Sequence, residues 1–247
     1  LASENFKVIT TTFAPFQTMR CCEQIKVNLG YMEERVTMIG LASGLVLGNL
    51  GFTHCCIEDI GVLRSIPNLN IVSPADSLET IKSIEASLHS KKSTYIRVTG
   101  GTNNPIIYES DYKFEIGKSI TLKKGNDVTI FGSGAILENC IIAAKALEDK
   151  KIPTGVVNMH TIKPIDKEAI LNAAKKSKLI VTVEEHNTIG GLGSAVSEVI
   201  SNIKNSPKQL TIGINDSYTK SGSYKYLKDY YRLTSEKILE DIQNLLN

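Results

Sequence analysis

Tryptophan is absent from this 247-residue chain, and aromatic side chains make up only 6% of it. No apolar run is long enough to cross a bilayer as a helix, which excludes a helical membrane-spanning protein. Neither charge is in surplus: Lys and Arg number 28 against 26 Asp and Glu, so no basic field invites nucleic acid. The five cysteines, at 21, 22, 55, 56 and 140, fit neither a zinc spacing nor a disulfide framework. Two adjacent pairs among apolar neighbours read instead as small buried side chains in a reducing compartment, the cytoplasm. A charged segment followed by an apolar one, the mark of a secretory leader, is lacking. Residue 1 is Leu rather than Met, and further residues upstream of it are expected.

What is present is a globular composition, 42% apolar and 22% charged, laid out as strands alternating with helices. Phe6 to Thr10, Arg35 to Ile39, Leu69 to Val72 and Thr94 to Val98 read as strands, with helices over Pro15 to Leu29 and Ser77 to Leu88. A turn-rich stretch, Gly100-Gly101-Thr102-Asn103-Asn104-Pro105, breaks the series. A second series comes after it, with strands Asp127 to Phe131, Gly155 to Asn158, Leu179 to Val183 and Leu210 to Ile214. Its helices are Ala135 to Leu147, Lys167 to Lys175, Leu192 to Ile203 and Ser235 to Leu246. Alternation of this kind predicts an α/β fold of two domains, each a largely parallel sheet flanked by helices. The expected partition is 1–105, a linker 106–124, and 125–247.

Several short motifs carry polar chemistry, and each has an ordinary structural explanation beside it. Gly132-Ser133-Gly134 follows a strand, but Leu137 stands where a dinucleotide fingerprint needs its third glycine, so a tight turn accounts for it. Glu184-Glu185-His186 and His160 sit at strand ends, where acid/base groups gather in α/β sheets. Polar residues there more often bond the next loop. Thr12-Phe13-Ala14-Pro15-Phe16 places two rings at a strand-to-helix turn. Gly48-Asn49-Leu50-Gly51-Phe52-Thr53-His54 is a glycine-bearing loop ending in an imidazole that could donate to an oxyanion or take a proton. Core packing explains either motif taken alone.

Together the motifs are more specific. Thr12 to Phe16 with Arg20, Glu23 and Gln24, the Gly51-Phe52-Thr53-His54 turn, Glu58-Asp59, Leu63 to Asn68 and Ser73-Pro74-Ala75-Asp76 resemble the pyrimidine-binding domain of the transketolase family. Lys163-Pro164-Ile165-Asp166, Val183 to His186 with Gly190 to Ala195, Ser221-Gly222 and Tyr231 to Thr234 resemble that family's C-terminal domain. The chain is most similar to the small subunit of split transketolases. The resemblance implies a thiamine-diphosphate pyrimidine-binding fold that lacks its N-terminal part, joined to a transketolase C-terminal-like domain. It further implies a transferase moving a two-carbon ketol (or related acyl) unit from a ketose-type donor to an aldehyde acceptor. Thiamine diphosphate and Mg2+ would be held mainly by a large subunit bearing the diphosphate-binding domain. The expected assembly is a homodimer of small subunits or a heterotetramer acting on a small molecule, with neither nucleic acid nor membrane as partner.

By the same resemblance Phe13, Phe16 and Arg20 bind the cofactor, the two rings stacking its aminopyrimidine, and His54 is the catalytic residue near the substrate's oxygens. Ala42, Leu50 and Phe52 line the substrate pocket, and no residue matches a metal ligand. The family's catalytic glutamate lies upstream of the position matching Leu1. Leu50 replaces a usual acidic residue, and Ala42 replaces a histidine that contacts phosphate. Val98, Thr99 and Gly100 stand where an arginine would grip a sugar phosphate. Arg97 is a step or two early, and one step along a strand changes the face. An unphosphorylated acceptor is therefore among those expected. Two other readings stay open: a non-catalytic pyrimidine-domain assembly protein, and the β-type subunit of a 2-oxoacid dehydrogenase.

Overall fold

The computed structural model describes residues 1–101 and 104–246, which form two five-stranded sheets; Thr102 and Asn103 of the turn-rich stretch lie outside the described residues. The first sheet has β1 (Val8–Phe13), β2 (Val36–Ser43), β3 (Leu69–Val72), β4 (Ser93–Thr99) and β8 (Thr161–Lys163), in the order β1-β2-β4-β3-β8. The second has β5 (Ile120–Lys123), β6 (Val128–Gly132), β7 (Thr154–Asn158), β9 (Leu179–Asn187) and β10 (Lys208–Ile214), in the order β10-β9-β6-β7-β5. Pairing is parallel except at β8 on β3 and at β5 on β7. The inner strands β3, β6 and β7 are buried along their whole length, as parallel strands covered on both faces must be.

Two strands depart from the sequence-based expectation. β5 lies in the stretch expected to be a linker. β8, from the second half of the chain, adds to the edge of the first sheet, pairing Ile71 with Lys163 and Val72 with Thr161. The halves also share their cores: Leu45, Ile57 and Ala75 pack with the apolar residues of β6 and β9, while Phe131, Val157 and Met159 pack with Met38, Ile71 and Tyr95. Ion pairing joins the halves too, through Arg64 and Glu198 at 2.6 Å, and the Lys163 ammonium donates to the Arg64 carbonyl at 2.8 Å.

The expected helix over 15–29 is broken into pieces: α1 (Ala14–Gln17), a 3-10 turn (Met19–Cys21), α2 (Cys22–Gln24) and a π-helical segment (Ile25–Tyr31). The break falls at Thr18, whose hydroxyl turns back to the Ala14 carbonyl at 2.7 Å while its own backbone leaves the helical region. Next come α3 (Asp59–Arg64), which the apolar spacing did not announce, and α4 (Ser77–His89). Asp76 caps α4, accepting from the Glu79 amide at 2.8 Å, and Glu79 answers by accepting from the Ala75 amide at 2.8 Å. The second Asp76 oxygen accepts from the amides of Ile107 and Tyr108, which fastens the connecting segment to the same helix end. The remaining helices are α5 (Leu137–Asp149), α6 (Lys167–Ala174), α7 (Leu192–Ile200), α8 (Tyr224–Tyr230) and α9 (Ser235–Leu246). Among the described residues no helix is long and apolar enough to cross a membrane.

Candidate active site

The ends of β1 and β2 build the site. They are neighbours, with Phe13 opposite Leu41, so the chain leaving each strand emerges at the same sheet edge. From β1 the chain turns directly into α1, which sets Phe13 and Phe16 side by side with ring centres 6.3 Å apart and edge-on. From β2 the chain passes a bulge, where Gly40 pairs with Arg97 but the next pairing is Ser43 with Thr99. Ala42 occupies that bulge in the left-handed region, at φ 51°. Bulges kink a strand and re-aim the chain beyond them. Here that chain is the loop 45–55, closed at its neck by Gly44 and Cys56, which exchange backbone hydrogen bonds of 2.8 and 2.9 Å.

That loop delivers His54 to the phenylalanine pair. Its ring lies 5.4 Å from Phe16 and 6.4 Å from Phe13, edge-on to both. The Thr53 hydroxyl bonds Nδ1 at 3.0 Å, which leaves Nε2 as the nitrogen without a partner among the described residues. Arg20 lies over the Phe16 ring at 3.9 Å, so its guanidinium covers a face of that ring. Phe13 is 39% exposed and offers the more open aromatic surface. Leu50 and Phe52, on the same loop as His54, are each 57% exposed. Thus the structure gathers Phe13, Phe16, Arg20 and His54 into one cluster, with Leu50 and Phe52 on the loop and Ala42 at its root.

The neighbouring cysteines pack. Cys55 and Cys56 are buried, and burial raises both thiols above their ordinary range, so neither is a ready thiolate. Arg97 faces the interior, where it pairs with the Asp59 carboxylate and donates to the carbonyls of Cys56 and Glu185. Burial alone would lower its pKa; Asp59 beside it reverses the sign and holds it charged. At 1% exposure it is committed to these interior partners and is shut away from a sugar phosphate at the ring cluster. The Glu184-Glu185-His186 run is structural at its two ends: Glu184 accepts from the Leu192 and Gly193 amides at the start of α7, and His186 bonds the Asn187 carbonyl and the Gly61 amide. His160 is wholly buried against Phe114, which pushes its pKa down to about 4.

One contributor escapes a reading of local motifs. The segment before α8 lies on the loop: Tyr218 packs on Phe52 with ring centres 5.4 Å apart, and the Gly222 amide donates to the Gly48 carbonyl at 3.1 Å. The one signal for it is composition, since five of the nine tyrosines fall between 218 and 231.

An exposed aromatic ring with a half-buried one at its side, both beside an imidazole, fits a flat heteroaromatic ring such as an aminopyrimidine. Among the described residues no group of three or more His, Cys, Asp or Glu is placed to hold a metal ion. The sequence model described as "Transketolase, pyrimidine binding domain" matches residues 1–102, and that described as "Transketolase, C-terminal domain" matches residues 117–238. The chain belongs to the transketolase family. It is 38% identical to an apulose-4-phosphate transketolase subunit of Phocaeicola vulgatus, over 96% of this chain and 76% of that one. It is 34% identical to the 6-deoxy-6-sulfo-D-fructose transketolase subunit SqwH of Clostridium sp., over 93% and 71%. A solved structure described as "Split gene transketolase, inactive beta4 tetramer" superposes with a TM-score of 0.88 at 32% identity, covering 98% of this chain and 77% of that one. With the family come transferase activity and dependence on thiamine diphosphate, and the chain corresponds to the small subunit, which works with a partner subunit. These relatives favour the transketolase branch over a 2-oxoacid dehydrogenase subunit.

Proposed function

We propose that the chain, joined to a large subunit, moves a two-carbon ketol (or related acyl) unit from a ketose-type donor to an aldehyde acceptor. The observation that carries the reading is the cluster of Phe13, Phe16 and His54 at one sheet edge. Thiamine diphosphate supplies the carbanion chemistry when bound. Phe13 and Phe16 would hold its aminopyrimidine, and such aromatic contacts are worth about 1 kcal/mol per pair beyond burial. His54 presents Nε2 to the oxygens of the substrate, where it can donate to developing charge and hand over a proton. Arg20 braces Phe16. The diphosphate and Mg2+ would be held mainly by the partner subunit, in an assembly with a homodimer of small subunits or in a heterotetramer. The five cysteines, all unpaired, suit the cytoplasm.

The acceptor we favour lacks the usual sugar phosphate. Leu50 offers an alkyl side chain and Ala42 a methyl group, while Arg97 is tied to Asp59. An apolar lining desolvates a phosphate without giving it a partner. A second reading, an anionic sugar as substrate, is favoured by two relatives named for a sugar phosphate and a sulfonated sugar; the large subunit would then grip the anion. One assay tests both points. The reconstituted pair, with thiamine diphosphate and Mg2+, is given xylulose 5-phosphate with either ribose 5-phosphate or unphosphorylated aldoses. Ketol transfer that falls by about a hundredfold to ten-thousandfold in His54→Ala, to a residual rate that can still be measured, supports the enzyme reading. A kcat/KM at least about tenfold higher for an unphosphorylated aldose supports the acceptor reading, and the reverse order overturns it. Complete absence of transfer with every donor and acceptor revives the non-catalytic assembly protein.

A further inference from the structure

Glu185 belongs to the second sheet, yet its carboxylate is spent on the loop that carries His54. One oxygen accepts from the Leu45 amide at 2.7 Å, the first residue beyond the loop's neck. The other accepts from the Tyr224 hydroxyl at 2.6 Å, the first residue of α8. The side chain is buried, and burial raises its pKa in spite of those two donors. A buried carboxyl group stabilises a core poorly, because its desolvation must be offset by hydrogen bonds. Simple packing is therefore a weak reason for glutamate at this position.

The surrounding backbone is shaped around it. Gly44 sits at φ 71°, and a Cβ there would collide with Glu185 Oε1. The Glu185 carbonyl accepts from Arg97 at 2.9 Å, and the same guanidinium nitrogen reaches the Cys56 carbonyl at 3.0 Å. Each side of the neck is thus held to β9, Leu45 by the carboxylate and Cys56 through Arg97. Glu184, next in the strand, points to the opposite side and serves the start of α7. The arrangement divides the two carboxylates between two tasks.

We propose that Glu185 is a positioning residue for the reaction: from the second sheet it fixes the neck of the loop 45–55, so that His54 stands beside Phe13 and Phe16. The proposal rests on the role assigned to His54 under the proposed function. Loop 45–55 contains no strand, and only a 3-10 turn at Gly48–Leu50, so the placement of His54 depends on where its neck and tip are fastened. Small misplacements of a reacting group cost rate steeply.

The test uses the reconstituted complex of both subunits. Glu185→Ala should lower kcat by about tenfold to a hundredfold while the thiamine diphosphate requirement stays within about twofold, because the rings that meet the cofactor lie outside the loop. Glu185→Gln should restore most of that loss, since its amide oxygen can accept from Leu45 and its amide nitrogen can donate to the Tyr224 oxygen. In a His54→Ala background the further effect of Glu185→Ala should shrink to about twofold or less, because residues acting through one group are not additive. Full loss in both backgrounds overturns the proposal. Should Glu185→Ala fail to fold, Tyr224→Phe takes its place in the same cycle, with the same outcomes for and against. Hydrogen exchange gives a readout independent of catalysis: loop 45–55 should lose protection in the variant while α7 keeps it. If His54→Ala leaves kcat unchanged, the role of His54 fails, and exchange alone then decides: unaltered loop protection overturns the positioning role.

Discussion

Arg97 and Asp59 meet at 2.8 Å with both side chains shut away from solvent. The Tyr95 hydroxyl donates to the same carboxylate at 2.7 Å, and the far guanidinium nitrogen reaches across to the carbonyls of Cys56 and Glu185. A single buried ion pair thereby ties α3, β4, the loop neck and β9 together. Removing one partner leaves the other charged and unpaired. Asp59→Ala should therefore destabilise the protein by about 3–5 kcal/mol, read as a lower urea midpoint with an unchanged slope. Asp59→Leu combined with Arg97→Met should recover only part of that, because two carbonyls still lose their donor.

The cofactor-facing rings give a second expectation. Phe13 has the more open surface, and Arg20 already covers a face of Phe16. Phe13→Ala should raise the thiamine diphosphate needed for half-maximal activity of the complex by about tenfold, from lost stacking of about 1 kcal/mol plus lost burial. Phe13→Tyr should remain within about twofold, since the ring is kept. Arg20→Ala should have the smaller effect of the two alanine variants.

The inner strands of both sheets were legible in the sequence because they are short runs with Val, Ile or Thr bounded by turns, as at Leu69–Val72 and Val128–Gly132. The broken helix after Pro15 was not, because its apolar spacing reads as regular while the Thr18 hydroxyl competes for the Ala14 carbonyl. β8 escaped because so short a strand carries no period of its own, and its partner is distant in sequence. Phe13, Phe16 and His54 could be singled out from their local setting, and the structure brings them together. The contacts of Glu185 with Leu45 and of Tyr218 with Phe52 join residues far apart in the chain, where no local pattern reports them.

His160 makes stability depend on pH. Buried against Phe114, its folded pKa is about 4, below the unfolded value of about 6.5. Between those values the unfolded chain binds a proton that the folded chain refuses, so stability falls as pH drops through about 6.5 towards 4. The full loss is about 3 kcal/mol. His160→Gln removes this contribution. Urea midpoints measured at neutral pH and near pH 4.5 should fall further in the parent protein than in the variant. Equal falls would show that His160 does not titrate this way.

The substrate expectation can be driven backwards. A phosphate held by charge-assisted hydrogen bonds gains about 1.5–3 kcal/mol from each, and neither Leu50 nor Ala42 can supply one. Ala42 sits in the left-handed region at φ 51°, which histidine tolerates better than most residues, so Ala42→His is compatible with the bulge. Leu50 is 57% exposed, so Leu50→Asp buries no charge in the free chain. Together the two changes should raise kcat/KM for ribose 5-phosphate relative to an unphosphorylated aldose by about tenfold to a hundredfold, the equivalent of one such contact. Ala42→His should carry most of that gain, since Asp at 50 adds a hydroxyl partner and no attraction for an anion. If Leu50→Asp alone produces the shift, the discrimination lies in the sugar hydroxyls. If neither does, the phosphate grip belongs to the large subunit.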